Sequence, residues 1–537
     1  MEKEKLKKYH EMSPFEVKDI LITLAKESFK KNGKAKDKYL NAGRGNPNFF
    51  NTTVRDAFAH FTLFANHFAD VLSPFEDIAF RYTKENLYKN FSEFIKRSKK
   101  NKATVFLEKA IDFAIKKFKF DPDSFLYELA DAAIGDFYPM PPRIFPSVEK
   151  ISTSYLQKIL TPDNKLPAGK FDLFATEGAT AAMIYIFNSL KNNKIVNPKD
   201  HIAIASPIFS PYLEIPMLSE FKLVEVLIKA DEFDSWQIPD SELKKLLDPS
   251  IKALFLVNPT NPTAVAIKDE TLFKIAHIIK KHRKDLIIIA DTVYATFVKE
   301  FHSFVKEVPE NTICVYSYSK YFGVTGWRLG VIMLHENNVL DKIIKNLSEK
   351  DKKEIDKRYI TITPEPRKIK FIDRLSMDSR DSALAHTGGL SCPQQVIMAL
   401  FSLYEIMDTE KIYKKDIRDI LRKRITNLYE NLEIKIPIEK GNTYYYTLID
   451  LAEVAQTKYG EDFKKYLIKN VDILDFLFKL AKEKFIVCLS GDGFAGPKWS
   501  LRVSLANLKV EDYITIGKAL SDLLGEYHKE FKKNKKT

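Results

Sequence analysis

Five short apolar runs constrain the fold of this chain more than any other feature of its sequence. Helical stretches separate the runs, and a polar or turn-forming motif follows each of them; the runs are 171–175, 201–205, 253–257, 286–290 and 313–317. Strands of this length that alternate with helices are typical of a largely parallel α/β sheet, which is buried on both faces. Ligands of such sheets bind at the carboxyl ends of the strands, so the motifs after the runs are the candidates for a functional site.

The rest of the chain predicts further units around this sheet. With 537 residues, 45% of them hydrophobic, the chain can bury more than one ordinary domain. Two alternating stretches, 444–448 and 499–505, are typical of strands in a smaller domain. We predict an N-terminal arm with a loop (1–53), an inserted helical block (54–133), a large α/β domain (134–390) that includes an extra charged segment (340–385), and a C-terminal small α+β domain (391–537).

The net charge of +13 is spread along the chain, apart from a lysine-rich tail at 529–536. Lysines stand beside glutamates and aspartates, which is typical of solvated helix faces. The sequence has no zinc-ligand spacing and no RNA-recognition signature, so we predict neither a metal site nor a nucleic-acid partner. Three distant cysteines, a charged N-terminus and the lack of an apolar run of roughly 20 residues favour a reducing, cytoplasmic location and no membrane span.

The segment 317–330 carries the strongest functional signal, because a lysine follows the last run and an arginine lies eight positions further on. It resembles the cofactor-lysine segment of the fold-type I pyridoxal-phosphate (PLP) enzymes. The resemblance implies that Lys320 forms a Schiff base with the cofactor, and that Ser317, Ser319 and Arg328 hold it through its phosphate side. These residue types suit the chemistry, since an amine condenses with an aldehyde and a planar guanidinium binds phosphate through two hydrogen bonds.

Two more motifs follow earlier runs and match the same family. In 289–294, Asp291 matches the carboxylate that pairs with the pyridinium nitrogen and keeps the ring an electron sink, and Tyr294 matches a donor to the ring hydroxyl. Taken alone, an aspartate at a strand end is as often a helix cap. In 257–263, Asn261 matches the residue that contacts the ring hydroxyl and the substrate α-carboxylate, while Ala264 stands where the family usually has glycine.

Three further matches complete the set in the family's order. Gly178 and Ala179 open a helix whose backbone N–H groups would bind the phosphate, and Phe209 matches the aromatic side chain that stacks on the ring. Arg502 matches the clamp for the substrate α-carboxylate, and an arginine inside an apolar strand is costly unless it meets an anion. The six matches imply the fold-type I α/β architecture, with a mostly parallel seven-stranded sheet in the large domain and a smaller α+β domain.

Three loops narrow the reaction, namely 41–48, 135–139 and 380–391. Together with the length of the chain, they resemble aspartate 4-decarboxylase, a bifunctional family with side aminotransferase activity. The resemblance implies that PLP is the cofactor and that L-aspartate loses its β-carboxylate as CO2 to give L-alanine. Lys320 would then act as the general base at Cα. Keto acids would be ligands of the transamination branch.

Residues of these loops would orient the β-carboxylate of the substrate. Candidates are Arg44, Arg380, Tyr138 and Thr387, with Gly45 beside them in the substrate loop. Either arginine could instead form a surface or interface ion pair, and Tyr138 could reach the cofactor phosphate of a neighbouring subunit. A shared site of that kind implies a homo-oligomer of at least two copies, and the family's assemblies extend to dodecamers.

Two other functions remain open from the sequence. One is a plain aspartate or dicarboxylic amino-acid aminotransferase without decarboxylation. The other is a binding or regulatory protein that keeps the PLP fold but has lost catalysis, against which the intact set of Lys320, Asp291, Arg328 and Arg502 argues.

Overall fold

A computed structural model of the protein describes residues 3–71, 73–380, 389–437 and 440–535. Its strands, in chain order, are β1 (Leu40–Asn41), β2 (Phe171–Thr176), β3 (His201–Ser206), β4 (Val224–Lys229), β5 (Ile251–Val257), β6 (Ile287–Asp291), β7 (Thr312–Ser317), β8 (Gly330–His335), β9 (Tyr446–Asp450), β10 (Ile486–Val487), β11 (Leu489–Ser490) and β12 (Ser500–Ser504).

The α-helices surround these strands and make up most of the first 160 residues. They are α1 (Lys3–His10), α2 (Pro14–Asn32), α3 (Thr52–Val71), α4 (Leu87–Arg97), α5 (Lys102–Phe118), α6 (Pro122–Ile134), α7 (Pro146–Leu160), α8 (Ala179–Asn192), α9 (Ser210–Glu214), α10 (Asp240–Leu243), α11 (Asp269–Lys281), α12 (Phe304–Glu307), α13 (Val339–Lys345), α14 (Glu349–Tyr359), α15 (Phe371–Asp378), α16 (Cys392–Met407), α17 (Ile412–Leu432), α18 (Leu451–Tyr459), α19 (Glu461–Asn470), α20 (Ile473–Lys484) and α21 (Asp512–Asn534).

The large domain is built on a seven-stranded sheet with the order β2-β8-β7-β6-β5-β3-β4. The pairs β3–β4, β3–β5, β5–β6 and β6–β7 are parallel, whereas β8 is antiparallel to both of its neighbours. Every residue of β2, β6, β7 and β8 is buried. Burial on both faces explains the continuous apolar runs, and the predicted α/β fold with a mostly parallel sheet is confirmed.

A second, smaller unit contains the antiparallel sheet β11-β12-β9, against which helices of the C-terminal part pack. The N-terminal arm joins this unit because β1 pairs in parallel with β10, and α2 packs on α20. Because of this pairing, the loop that follows β1 lies at the junction between the two units.

The helices α3 to α6 form a block that packs through α3, α5 and α6 on α16. Its core is aromatic, with Phe61, Phe64 and Phe91 buried against one another. Asn101 starts α5 with a reciprocal capping box, in which its side chain accepts from Thr104 N and the Thr104 hydroxyl accepts from Asn101 N.

The charged segment after β8 folds into α13, α14 and α15. Ile355 and Tyr359 are the residues of α14 that are buried, so most of this helix faces solvent. That exposure explains why its sequence shows little apolar periodicity. Among the described residues, no helix is both long and apolar enough to cross a bilayer.

Candidate active site

A cavity of about 290 Å³ lies at the carboxyl ends of β5, β6 and β7, where the large domain meets the small one and the loop after β1. Segments from the whole length of the chain meet here. Eleven of the predicted site residues line the cavity: Gly45, Ala179, Phe209, Asn261, Asp291, Tyr294, Ser317, Ser319, Lys320, Arg328 and Arg502.

Lys320 follows β7 and its ammonium group points toward the N-terminal loop. Its Nζ donates to the carbonyl oxygen of Gly45 at 3.2 Å, and the Tyr445 hydroxyl donates to the same oxygen at 2.9 Å. No carboxylate of the described residues lies within 4 Å of Nζ, so the amine is held by a neutral acceptor. A neutral partner leaves the amine available for covalent chemistry or proton transfer.

Asp291 ends β6 and is only 4% exposed. Its carboxylate accepts from the Tyr212 hydroxyl at 2.8 Å and from Val293 N at 3.0 Å. Burial raises the pKa of Asp291 to about 6, against the lowering effects of these hydrogen bonds and of the Lys320 charge. A buried carboxylate of this kind would be stabilised as the anion by a ligand N–H that carries positive charge.

Arg502 lies in the middle of β12 and is 1% exposed. Its Nη2 donates to Gly43 O at 2.7 Å, its Nη1 donates to Asn261 Oδ1 at 3.3 Å, and its Nε has no hydrogen-bond partner. The guanidinium stacks on the rings of Tyr446 and Phe494, with centroid distances of 4.6 and 4.9 Å.

Burial lowers the pKa of Arg502, yet among the described residues no carboxylate lies within 4 Å of it. A buried and unneutralised guanidinium is costly unless an anion compensates it. Because Arg502 and Asn261 both line the cavity, this arginine is suited to pair with a ligand carboxylate.

Another group of lining residues supplies donors suited to a phosphate. The helix α8 begins at Ala179, and Gly178 before it has φ +87°. A Cβ at Gly178 would lie 2.4 Å from Arg328 Nη2, so only glycine allows the guanidinium to approach this helix start.

Arg328 itself donates to Thr325 O at 2.9 Å and to Glu177 O at 3.0 Å, without a carboxylate partner in the part of the chain that the structure describes. The Ser317 hydroxyl lies beside it in the lining and donates to the Ser319 hydroxyl at 2.9 Å. A helix N-terminus, a guanidinium and two hydroxyls are groups that suit an anion.

The donor set fits the cofactor that the sequence resemblance implies. Donors suited to a phosphate, a buried carboxylate and a lysine amine line the same cavity, and Phe209 forms part of its wall. Tyr294 is also in the lining, although in this structure its hydroxyl donates to the Tyr446 hydroxyl at 3.1 Å.

Comparison with known proteins identifies the family. The sequence profile described as "Aminotransferase class I and II" matches residues 140–516, which is more than half of the chain. The chain belongs to this family. The predicted family relationship is therefore confirmed.

One relative of this aminotransferase-family chain matches it almost end to end. The "Bifunctional aspartate aminotransferase and L-aspartate beta-decarboxylase" of a Pseudomonas species is 42% identical over 97% of both chains. The aspartate aminotransferase of Sulfurisphaera tokodaii is 25% identical over 60% of this chain and 68% of its own.

Solved structures agree with the fold. A single mutant of the Thermus thermophilus aspartate aminotransferase superposes with a TM-score of 0.58 and covers 94% of this chain and 96% of its own, at 16% identity. An aromatic aminotransferase from Pyrococcus horikoshii gives 0.57, again at 16% identity. The fold-type I architecture is thus shared at low sequence identity.

Of the four residues predicted to orient the β-carboxylate, the three that the structure describes are not among the residues that line the cavity. Arg44 is exposed between Gly43 and Gly45 of the N-terminal loop, and Tyr138 is 67% exposed. Arg380 is half-buried, with its pKa lowered by burial, and its Nη2 lies 3.5 Å from Ser376 Oγ. Thr387 lies outside the described residues. The roles of all four stay predictions.

Three aromatic residues of the lining were missed by the sequence analysis. Tyr212 lies one helical turn after Phe209, so its position could have been inferred from the Phe209 motif. Tyr446 stands in the predicted strand at 444–448, where strand alternation gave no reason to choose it. Phe15 belongs to α2, far away in the sequence, and no local signal connects it with the site.

Proposed function

We propose that this aminotransferase-family chain binds PLP in the cavity and converts L-aspartate to L-alanine and CO2, with aspartate aminotransferase activity as a second outcome. The observation that carries the proposal is the 42% identity over 97% of both chains with a bifunctional enzyme of that description. The buried Arg502, which lacks an anionic partner among the described residues, supports a carboxylate substrate.

Separate groups of residues would hold the parts of the cofactor. Arg328, the Ser317 and Ser319 hydroxyls and the start of α8 suit its phosphate, and Asp291 suits its ring nitrogen. Phe209 forms the wall against which the ring would lie. When bound, PLP supplies an aldehyde for an amine and a ring that takes up the electrons released by bond cleavage.

Arg502 and Asn261 would orient the substrate through its α-carboxylate. They already contact each other at 3.3 Å, so a carboxylate that approached Arg502 would also meet the Asn261 amide. Lys320 would take the proton from Cα of the substrate and return it later, because it is the lysine of the cavity lining and its present partner is only the Gly45 carbonyl.

The β-carboxylate must be oriented without being held too tightly. A strong ion pair would stabilise the charged reactant more than the neutral CO2 that leaves, and the barrier to cleavage would rise. Arg44 is suited to a loose contact of this kind, because it is exposed on a loop whose neighbours Gly43 and Gly45 both touch site residues. Tyr138, Arg380 and Thr387 remain further candidates for the same role.

Exposed Tyr138 also fits a site completed by a second copy of the chain. In that arrangement Tyr138 would reach the cofactor phosphate of the neighbouring subunit, and the protein would be at least a dimer. We therefore propose a homo-oligomer, which can be as large as a dodecamer.

One experiment separates decarboxylation from plain transamination, the second candidate that the aspartate aminotransferase relative favours. The protein, saturated with PLP, is incubated with L-aspartate and no keto acid, and CO2 and alanine are measured. A decarboxylase releases both in equal amounts over many turnovers. A product yield of no more than one equivalent per site, with no CO2, would overturn the decarboxylase proposal and leave aminotransferase activity.

A pair of variants tests whether the turnover of L-aspartate depends on Lys320. The Lys320→Ala variant should lose turnover and the absorption band of the lysine-bound cofactor together. The Lys299→Ala variant is the matched control, because Lys299 is exposed to solvent on the large domain and does not line the cavity. Wild-type turnover in Lys320→Ala would contradict the assignment of the lysine.

A further inference from the structure

A second cavity, of about 480 Å³, lies within the extra charged segment, between α13, α14 and α15. It shares no lining residue with the candidate active site, and the proposed function makes no use of it. Its volume is in the range of small-molecule sites, which is roughly 300–1,000 Å³. Two carboxylates line it together with six cations: Lys345, Lys352, Arg367, Lys368, Lys370 and Arg374.

Arg374 is the buried cation of this cavity and is 2% exposed. Its guanidinium donates to three neutral acceptors, Ile369 O at 3.2 Å, Pro366 O at 2.8 Å and Asn193 Oδ1 at 2.9 Å. Its other neighbour is the ring of Tyr359, at 4.7 Å from the centroid. Within the described ranges no carboxylate comes within 4 Å of it, so its charge is buried without an ion pair.

Lys345 is a second cation without an anionic partner within 4 Å among the described residues, and it is exposed at the cavity. Of the remaining cations, Lys370 is paired with the buried Asp172 at 3.1 Å. Lys352 and Arg367 share the exposed Glu349, at 3.2 and 3.0 Å. Exposed pairs of this kind contribute about 1 kcal/mol or less, so they can rearrange around a ligand.

The two carboxylates of the lining are already engaged. Asp341 accepts from Asn338 Nδ2 and from Phe371 N, both at 2.7 Å. Asp356 accepts from Arg367 Nε at 2.8 Å. Neither carboxylate lies within 4 Å of Lys345 or Arg374, and the charge of Arg374 acts on Asp341 only at longer range.

We propose that this second cavity binds a small oxyanion with at least two negative charges, such as a polycarboxylate or a phosphate. The buried guanidinium of Arg374 and several lysine ammonium groups surround a space of small-molecule size, and these groups would bind the oxyanion. A monovalent anion would compensate only one of the unpaired cations, so charge selects for the multivalent ligand.

The position of the site connects it to α8. Arg374 donates to Asn193, the residue that caps the C-terminal end of α8, and Asp378 at the end of α15 accepts from Ser189 of α8 at 2.8 Å. The N-terminal end of the same helix lines the candidate active site. An anion that neutralises Arg374 would therefore stabilise the packing of the extra segment on a helix of the large domain.

Isothermal titration of the full-length protein at low ionic strength tests the proposal. Inorganic phosphate and citrate are the two multivalent probes, and acetate is the monovalent one. We expect at least one multivalent probe to bind tenfold or more tightly than acetate. Which of the two binds better identifies the source of the ligand, a phosphate or a polycarboxylate. We also expect that probe to raise the midpoint temperature of unfolding.

Matched variants show whether binding occurs in this cavity. The double variant Lys345→Gln/Lys352→Gln should weaken binding by about tenfold or more, because two charged donors are lost. The control is Lys353→Gln, since Lys353 is exposed on the same helix and does not line the cavity. Binding at the first cavity would be unchanged in either variant, so an anion held there cannot imitate the expected result.

Two outcomes would overturn the proposal. One is that neither phosphate nor citrate binds more tightly than acetate. The other is that the double variant and Lys353→Gln bind the probe equally well. Neither outcome bears on the decarboxylation assay, which tests a different cavity.

Discussion

At the scale of single residues, the candidate active site is defined by cations that lack a carboxylate partner among the described residues. Arg328 and Arg502 donate only to carbonyl and amide oxygens, and Lys320 donates to the Gly45 carbonyl. Folded proteins seldom bury such charges without compensation, so their spacing describes the anionic groups of the ligand.

Replacing Arg502 by lysine tests the substrate clamp. Lysine keeps the charge but loses the planar pair of donors and the stacking on Tyr446. We expect kcat/KM for L-aspartate to fall by about a hundredfold, while the absorption of the bound cofactor stays unchanged. Arg424→Lys is the control, because Arg424 is also buried but contacts Leu505 O and Asn48 Oδ1 instead of the cavity. Equal losses in both variants would contradict a specific role for Arg502.

Asp291 predicts a pH dependence of stability in the cofactor-free protein. Burial raises its pKa from 3.8 to about 6, so the folded chain holds this proton more tightly than the unfolded chain does. That contribution to the free energy of unfolding is complete below about pH 4 and is lost as the pH rises through 6.

The Asp291→Asn variant lacks this titration and serves as the comparison. Between pH 5 and 7.5, the free energy of unfolding of the wild type should fall by about 1.5 kcal/mol relative to the variant, as measured by denaturant unfolding. Using the difference between the two proteins removes the titration of all other groups. A difference that does not change with pH would show that Asp291 is ionised throughout this range.

At the scale of elements, the loop between β1 and α3 reaches the candidate active site because the backbone of Gly45 packs closely against the side chains of Tyr446 and Lys320. A Cβ at Gly45 would lie 2.6 Å from the Tyr446 hydroxyl and 3.6 Å from Lys320 Nζ. The loop can hold its carbonyl against the Lys320 amine because this position has no side chain.

The Gly45→Ala variant should therefore displace the loop or Tyr446. We expect kcat/KM to fall by about tenfold or more, which corresponds to an overlap that costs between about 1 and 3 kcal/mol. Tyr446→Phe removes the clashing hydroxyl, so the double variant should be no worse than Tyr446→Phe alone. If the two losses simply add, the overlap is not the cause.

At the scale of the whole molecule, the inserted helical block carries large apolar side chains on its surface. Leu63, Val71, Phe75, Ile78 and Phe80 are all more than half exposed, and the rings of Phe75 and Phe80 lie 5.9 Å apart. Exposed apolar groups of this size are one of the features of interaction surfaces, so we predict that this block contributes to assembly.

The double variant Phe75→Asp/Phe80→Asp tests whether this block contributes to assembly. We expect light scattering to give a smaller particle mass than for the wild type, because charges would be buried without partners in the contact. Phe233→Asp is the control, since Phe233 is 83% exposed but belongs to the large domain. An unchanged mass in the double variant would exclude these residues from the assembly contacts.

Much of the fold could be predicted from the sequence because its signals are local. The runs that became β2, β3, β5, β6 and β7 are buried on both faces over most of their length, so they are largely apolar and stand out. The edge strand β4 was missed because only Ile228 of its six residues is buried. The strand β8 was missed because it directly follows the Lys320 segment, without the intervening helix on which the pattern relied.

Contacts of the two cavities differ in whether a local sequence pattern predicts them. Asp291, Asn261 and Lys320 each lie at or just after the carboxyl end of a strand of one sheet. These ends meet at one edge of a parallel sheet, so the proximity of the three residues follows from the sequence. The contacts of Gly45 with Lys320, of Asn261 with Arg502 and of Arg374 with Asn193 join residues 181 or more positions apart. No local pattern encodes such contacts, because they depend on how separate units pack. The exposure of Arg44 also depends on this packing. So does the second cavity, which lies in the extra charged segment and has no local signal in the sequence.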